Sequence, residues 1–326
     1  MTLPKLVGKL AVAGLLLAGC TALVDRRIDS RVDRAEAAFP PLGDFVELDG
    51  RRVHYRQVGQ GPDLVLIHGA SGNLRDFTFA FADRMADRFR VTVFDRPGLG
   101  YTQVDPALVG PWGDRGETPQ SQAALLARAA RAIGVERPVV AGHSYGGAVT
   151  MAWALNHAPA AAVVISGATQ PWPGGLGPLY TVNGSKLGGS TVVPLISAFA
   201  TDGLVRDAVA SIFAPQDPPE GYLDYVGAPL TLRPASFRAN ARQVNTLRPQ
   251  VVEMQPRYGQ LDLPLEIVHG TADDVVPIDI HSERLVEQVP GARLTRLEGV
   301  GHMPHHVAAE AVADAIDRAA RRAGVL

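Results

Sequence analysis

The sequence has one cysteine, three lysines and few aromatics. A single thiol, Cys20, excludes an intramolecular disulfide framework and a cysteine-rich zinc module. The 31 basic residues face 33 acidic ones, for a net charge of −2. That balance supplies no global basic field for nucleic acid. The uncharged stretch Leu10 to Val24 falls short of the roughly 20 apolar residues that a spanning helix needs. There is no internal repeat, phosphate loop, dinucleotide fingerprint or metal-ligand cluster, so neither cofactor nor metal is expected. What is present is 46% hydrophobic residue over 326 positions. A disordered chain is excluded, and one large domain or two small ones can bury a sizeable core.

Two of the three lysines, Lys5 and Lys9, precede the apolar run Leu10–Gly19, and Cys20 follows it. A short positive region, about ten apolar residues and small residues before a cut site describe a secretory signal peptide over residues 1–19. Leu17-Ala18-Gly19-Cys20 resembles the lipobox of bacterial lipoprotein precursors. That resemblance implies cleavage before Cys20 and acylation of its thiol. The alternative is an uncleaved signal anchor. Either way the chain is expected to be exported and membrane-attached, through an N-terminal lipid or the anchor itself. Residues 20–44 read as a solvated, charged tether, ended by Pro40-Pro41 and Gly43.

The rest, 45–326, reads as one α/β domain. Val46–Leu48 and Val53–Tyr55, joined by Asp49-Gly50, form a hairpin pattern. Leu64–Ile67, Val91–Phe94, Pro138–Ala141, Ala162–Ile165, Leu265–Val268 and Ala292–Leu297 are short apolar runs. Such runs suit strands buried on both faces of a parallel sheet. Helical patterns alternate with them. Thr118 caps one, with Pro119 at its first position and Gly134 past its end. A last helix is expected from about Pro304 to Ala323. Residues 168–250 carry no clear strand, so they are expected to form a helical cap over the strand ends.

Gly142-His143-Ser144-Tyr145-Gly146 is the only Gly-x-Ser-x-Gly match. A buried strand precedes it and a helix start follows. A serine on such a turn is strained and projects its hydroxyl from the sheet, which suits a nucleophile. It needs a base. Of nine histidines, His302 lies in the loop Gly299-Val300-Gly301-His302 after the last strand, at the edge where ligands gather in open α/β sheets. His54 reads as an exposed strand position. His305 and His306 read as solvent-facing or capping residues. Two aspartates, Asp273 and Asp274, follow the strand Leu265–Val268 and can supply the acid that fixes the histidine tautomer. The order Ser, Asp, His follows the α/β-hydrolase arrangement.

On these residues the chain resembles a capped α/β-hydrolase over about 45–322: a mostly parallel sheet with helices on both faces. In that family the acid lies three residues after a glycine, which selects Asp273 in Gly270-Thr-Ala-Asp273. The resemblance also implies an oxyanion hole from the backbone N–H groups of Ala70 and Tyr145. It implies that His68 orders its loop and that Asp95–Gly100 is scaffold. Serine rather than aspartate at 144 argues against dehalogenase and epoxide hydrolase chemistry. The expected partner is a small-molecule acyl substrate, hydrolysed as a carboxylic ester through an acyl-enzyme. C–C bond hydrolysis or perhydrolysis on the same triad is the enzymatic alternative. A membrane-tethered binding protein on a hydrolase scaffold is the other.

Overall fold

The short Val-, Leu- and Ile-rich runs assemble into one eight-stranded sheet. In this computed structural model residues 3–326 are described, with side-chain surroundings from residue 18 onward. Met1 and Thr2, and the leader side chains that include Lys5 and Lys9, lie outside the described residues. The strands are β1 (Asp44–Leu48), β2 (Arg51–Val58), β3 (Asp63–Ile67), β4 (Arg90–Phe94), β5 (Val139–His143), β6 (Ala161–Ile165), β7 (Leu265–Gly270) and β8 (Arg293–Leu297). Their order is β1-β2-β4-β3-β5-β6-β7-β8. β2 runs antiparallel to β1 and β4, and every other pairing is parallel.

Side-chain alternation splits the core into two layers. Val65, Ile67, Val140, Val164 and Ile267 face one side. There they meet helices α2 (Pro119–Ala132) and α3 (Tyr145–His157). Leu64, Leu66, Val91, Val93, Val163 and Ile165 face the other, against the C-terminal helix and the short helices Arg75–Thr78 and Phe81–Met85. Each such side chain, fully buried, contributes on the order of 2 kcal/mol. Helix α2 starts as its sequence requires. Thr118 Oγ1 accepts the Ser121 N–H at 3.1 Å, and Pro119 occupies the first turn.

Between β6 and β7 lie several helices, including α4 (Pro178–Asn183), α5 (Lys186–Phe199), α6 (Asp202–Ser211) and α7 (Pro234–Asn245). The C-terminal helix α8 (Ala309–Arg322) is separate from a single turn at Pro304–Val307. The one continuous helix expected from Pro304 is therefore broken, because Ala308 (φ −138°, ψ 43°) leaves helical space.

The amino-terminal segment forms one helix, α1 (Leu3–Ala38). Residues 25–38, read above as solvated, bury Ile28 and Ala35. Arg27 Nε donates to the Ala198 carbonyl at 2.7 Å, and Arg233 pairs with Glu36 at 2.8 Å. The segment is thus docked on the cap rather than free. Among the described residues no helix is long and apolar enough to cross a membrane.

Candidate active site

Ser144 sits between β5 and α3 with φ 54° and ψ −117°, a left-handed conformation strained for any side chain. The turn closes only because its flanks are glycine. A Cβ at Gly142 would come within 2.2 Å of the Gly146 carbonyl oxygen, and one at Gly146 within 2.3 Å of the Ile67 oxygen. The serine lies at the carboxyl end of a central strand and at the N-terminus of α3, where backbone N–H groups lack helical acceptors.

Two loops at the same sheet edge bring the other residues. His302 Nδ1 lies 2.7 Å from Asp273 Oδ2. Asp273 is buried and its neighbour Asp274 is exposed, which separates the two aspartates that sequence left adjacent. Asp273 Oδ1 accepts the Val275 and Val276 N–H groups at 2.9 and 2.8 Å. His269 Nε2 lies 3.1 Å from Asp273 Oδ2. Burial alone would raise the Asp273 carboxyl. The bonds from His269 and His302 outweigh it and hold the group well below the usual carboxylate range. The acid loop is tied to the histidine loop through Thr271 N–H to Leu297 O and Ala272 N–H to Val300 O, both 2.9 Å. Gly270 permits this closeness, since a Cβ there would meet Val300 O at 2.0 Å.

The serine turn joins this assembly through its neighbour. His143 Nε2 lies 2.8 Å from the His302 carbonyl oxygen. Among the described residues no hydrogen bond forms between Ser144 Oγ and His302. Burial, then the charges of His305 and His302, hold the His143 ring well below its ordinary range. It therefore stays neutral and can donate.

The loop His68–Gly72 is held from behind. His68 Nδ1 lies 2.9 Å from Gly69 O, and its Nε2 accepts the Arg96 N–H at 2.9 Å. Burial, then nearby Arg96, lowers the His68 ring to about 4. Both ring nitrogens serve the loop, as the resemblance implies. Arg96 is fully buried. Its guanidinium donates to Gly69 O at 2.9 Å, to Gln122 Oε1 at 3.0 Å and to Gln243 Oε1 at 2.5 Å. It also stacks 4.0 Å from the Tyr145 ring centroid. One peptide plane carries Gly69 C=O and Ala70 N–H, so fixing the carbonyl aims the N–H the opposite way. Asn240 of α7 fixes the next residue, accepting Ser71 N–H at 2.7 Å and donating to Ser71 Oγ at 2.9 Å.

Three expectations about histidines change. His54 is buried, not exposed, because β2 lies between β1 and β4, and its Nδ1 lies 2.6 Å from Asp95 Oδ2. His305 and His306 are also inside. Their Nε2 atoms lie 3.2 and 2.8 Å from Asp76 Oδ2 and Oδ1, and Tyr222 of the cap donates to Asp76 Oδ1 at 2.9 Å. Among the described residues, Asp76, His143 and His305 are the group whose donor atoms are close enough to consider for a metal ion. The Asp76 carboxylate already takes three hydrogen bonds, so the group acts as a hub between cap and histidine loop. Sequence reasoning also missed Arg96, Asn240 and His269. The side-chain partners of Arg96 and Asn240 lie 26 to 169 residues away, where no local pattern marks them, whereas His269 stands only four residues before Asp273.

The alpha/beta hydrolase family model matches residues 64–315. An uncharacterised protein of Mycobacterium tuberculosis is 27% identical over 278 residues, 82% of this chain and 77% of that protein. A pimeloyl-[acyl-carrier protein] methyl ester esterase of Aeromonas hydrophila is 28% identical over 263 residues, 77% of this chain and 92% of the esterase. Among solved structures, a thermophilic esterase from Thermogutta terrifontis superposes with a TM-score of 0.67. It is 21% identical and covers 86% of this chain and 99% of its own.

Proposed function

The chain belongs to the alpha/beta hydrolase family, and from that premise we propose that it is an exported serine hydrolase of carboxylic esters. The observation that carries the proposal is the His302–Asp273 pair at 2.7 Å, bonded through His143 to the strained turn that bears Ser144. In the proposed cycle Ser144 Oγ attacks the acyl carbonyl while His302 takes its proton. Asp273 keeps the imidazole in the tautomer that presents Nε2 to the serine and stabilises the imidazolium. The N–H groups of Ala70 and Tyr145 receive the oxyanion. Each such donor is worth about 3 kcal/mol in the transition state. Collapse of the tetrahedral species expels the alcohol, which takes its proton from His302. Water then attacks the acyl-enzyme with His302 as base and releases the acid. In such sites the serine–histidine hydrogen bond often tightens only when substrate binds.

Ester chemistry is supported by the esterase names of the relatives and by serine, not aspartate, at position 144. The experiment is hydrolysis of a p-nitrophenyl ester series. The parent should turn over at least one chain length, and Ser144→Ala should lose turnover while keeping its melting temperature. A fully active Ser144→Ala variant would remove the assignment.

The export proposal rests on Lys5, Lys9, the apolar run and the Leu17–Cys20 box. Cys20 is exposed and available for acylation. Intact-mass analysis of the membrane-extracted chain from a bacterial host should show a start at Cys20 with added acyl mass. An unmodified full-length mass contradicts it.

A further inference from the structure

We propose that the outer face of the cap, built by α4 and α5, seats on the surface of a lipid bilayer. A helix on the outside of a soluble domain normally turns charged residues to water. Helix α5 does not. Leu187, Thr191, Leu195 and Phe199 recur at every fourth position and form one outward stripe, with Leu187, Leu195 and Phe199 exposed by 69%, 51% and 53%. The opposite face is also apolar or small and is buried, through Gly188, Gly189, Val193, Ser197 and Ala198. Helix α4 packs against α5 and adds exposed Leu179 and Val182.

Charge is missing from the whole stretch. Residues 171–200 hold one charged side chain, Lys186, in 30 positions. At the chain's 20% charged fraction, about six would be expected there. Soluble monomers rarely leave large apolar patches in water, and such patches mark interaction surfaces.

The amino-terminal helix selects the bilayer as the occupant. Helix α1 lies along α5, and its Arg27 guanidinium sits 5.1 Å from the Phe199 ring centroid. Cys20 precedes Arg27 by seven residues, about 10 Å along the helix axis. An acyl chain on Cys20 would therefore hold the Phe199 end of the stripe against the headgroup region. Arg26 and Arg27 lie at the same level, where basic side chains meet anionic headgroups. The geometry is that of an interfacial helix, with its apolar stripe in the membrane plane. The cap would then dock where an ester dissolved in the membrane is most concentrated. The proposal rests on the membrane-attachment reading above and is tested separately from it.

The test uses the full chain with Cys20→Ser, which removes its one thiol, and Leu195→Cys carrying an environment-sensitive fluorophore. A control label replaces Leu326, which follows α8 at the opposite sheet edge, where Arg322 bonds Leu265 O at the start of β7. Vesicles of phosphatidylcholine and phosphatidylglycerol, with and without doxyl-labelled lipid, are the probe. The expected result is flotation with the vesicles, a blue shift and doxyl quenching at 195, and neither change at 326. Flotation without quenching at 195 overturns the seated face and leaves attachment standing. A chain that does not float overturns the seated face alone, because Cys20→Ser cannot be acylated and the intact-mass measurement decides attachment through Cys20. A blue shift at 195 without vesicles, dependent on protein concentration and insensitive to doxyl lipid, means that a second copy covers the stripe, and that too overturns the proposal.

Discussion

Replacing Arg96 with methionine isolates how the His68–Gly72 loop, the proposed source of one oxyanion donor, is aimed. The side chain is fully buried, and its hydrogen-bond partners are neutral: Gly69 O, Gln122 Oε1 and Gln243 Oε1. Burial lowers its guanidinium to about 10, which still leaves it charged at neutral pH. Arg96→Met strips the two glutamine oxygens of a donor. A buried acceptor left unpaired costs about 1–3 kcal/mol, so stability should fall by roughly 2–4 kcal/mol, with relief of guanidinium desolvation offsetting part. Gly69 O keeps its bond to His68, so the peptide loosens without flipping. Losing an oxyanion donor outright costs about 100- to 1000-fold in kcat, so a donor blurred in direction should cost on the order of tenfold. KM should barely move, because the contact is made in the transition state. The assay is steady-state hydrolysis of a p-nitrophenyl ester beside thermal denaturation, with Arg96→Lys as an intermediate, since lysine cannot keep the planar fork or the stack on Tyr145. A folded Arg96→Met enzyme with kcat within about twofold of the parent would refute the reasoning.

Ser144→Gly should be more stable than Ser144→Ala by about 1 kcal/mol and melt correspondingly higher, because glycine relieves the positive φ at this turn; equal melting temperatures would mean the turn stores no strain. Asp273→Asn should cut kcat by about 10⁴, as loss of the orienting carboxylate does in such triads, whereas exposed Asp274→Asn should match the parent; the reverse pattern in ester turnover would exchange their roles. Stability should fall as the medium is acidified. Burial holds His68, His281 and His305 at about 4 in the fold. The unfolded chain, with histidine near 6.5, takes up protons first, so stability is full above about pH 6.5 and each group costs roughly 2 kcal/mol by pH 5. The depressed carboxyls of Asp76 and Asp273 add a further loss as the pH drops below about 4. A melting temperature flat from pH 7.5 to 5 contradicts this.

The centre of the sheet was legible because β3 to β7 are buried on both faces and most declare themselves as short Val-, Leu- or Ile-rich runs. Hydropathy alone marked β3 to β7, and the Asp49-Gly50 turn marked β1 and β2. The serine turn was legible because its glycines carry a recognisable spacing, and both are demanded by close backbone: an added Cβ would come within 2.2 Å of Gly146 O at position 142 and within 2.3 Å of Ile67 O at position 146. Asp273 was separated from Asp274 by a family resemblance and, independently, by burial. What sequence did not reveal depends on distant partners. His305 and His306 turn inward because Asp76 waits 229 and 230 residues earlier. His54 is inside because β4 crosses to lie beside β2. The docking of α1 left a faint trace, Ile28, Val32 and Ala35 at helical spacing, hidden among Asp25, Arg26, Asp29 and Asp33. Arg96 looked like a charged turn residue because no sequence pattern records that its three acceptors converge.

The central claim is that Ser144 is an activated nucleophile. Incubation of the folded chain with a fluorophosphonate, followed by peptide mapping, tests it most directly. The account predicts one adduct, on the peptide containing Ser144, absent in Ser144→Ala and formed far more slowly in His302→Ala. No adduct on the parent, or one that persists in Ser144→Ala, would contradict it.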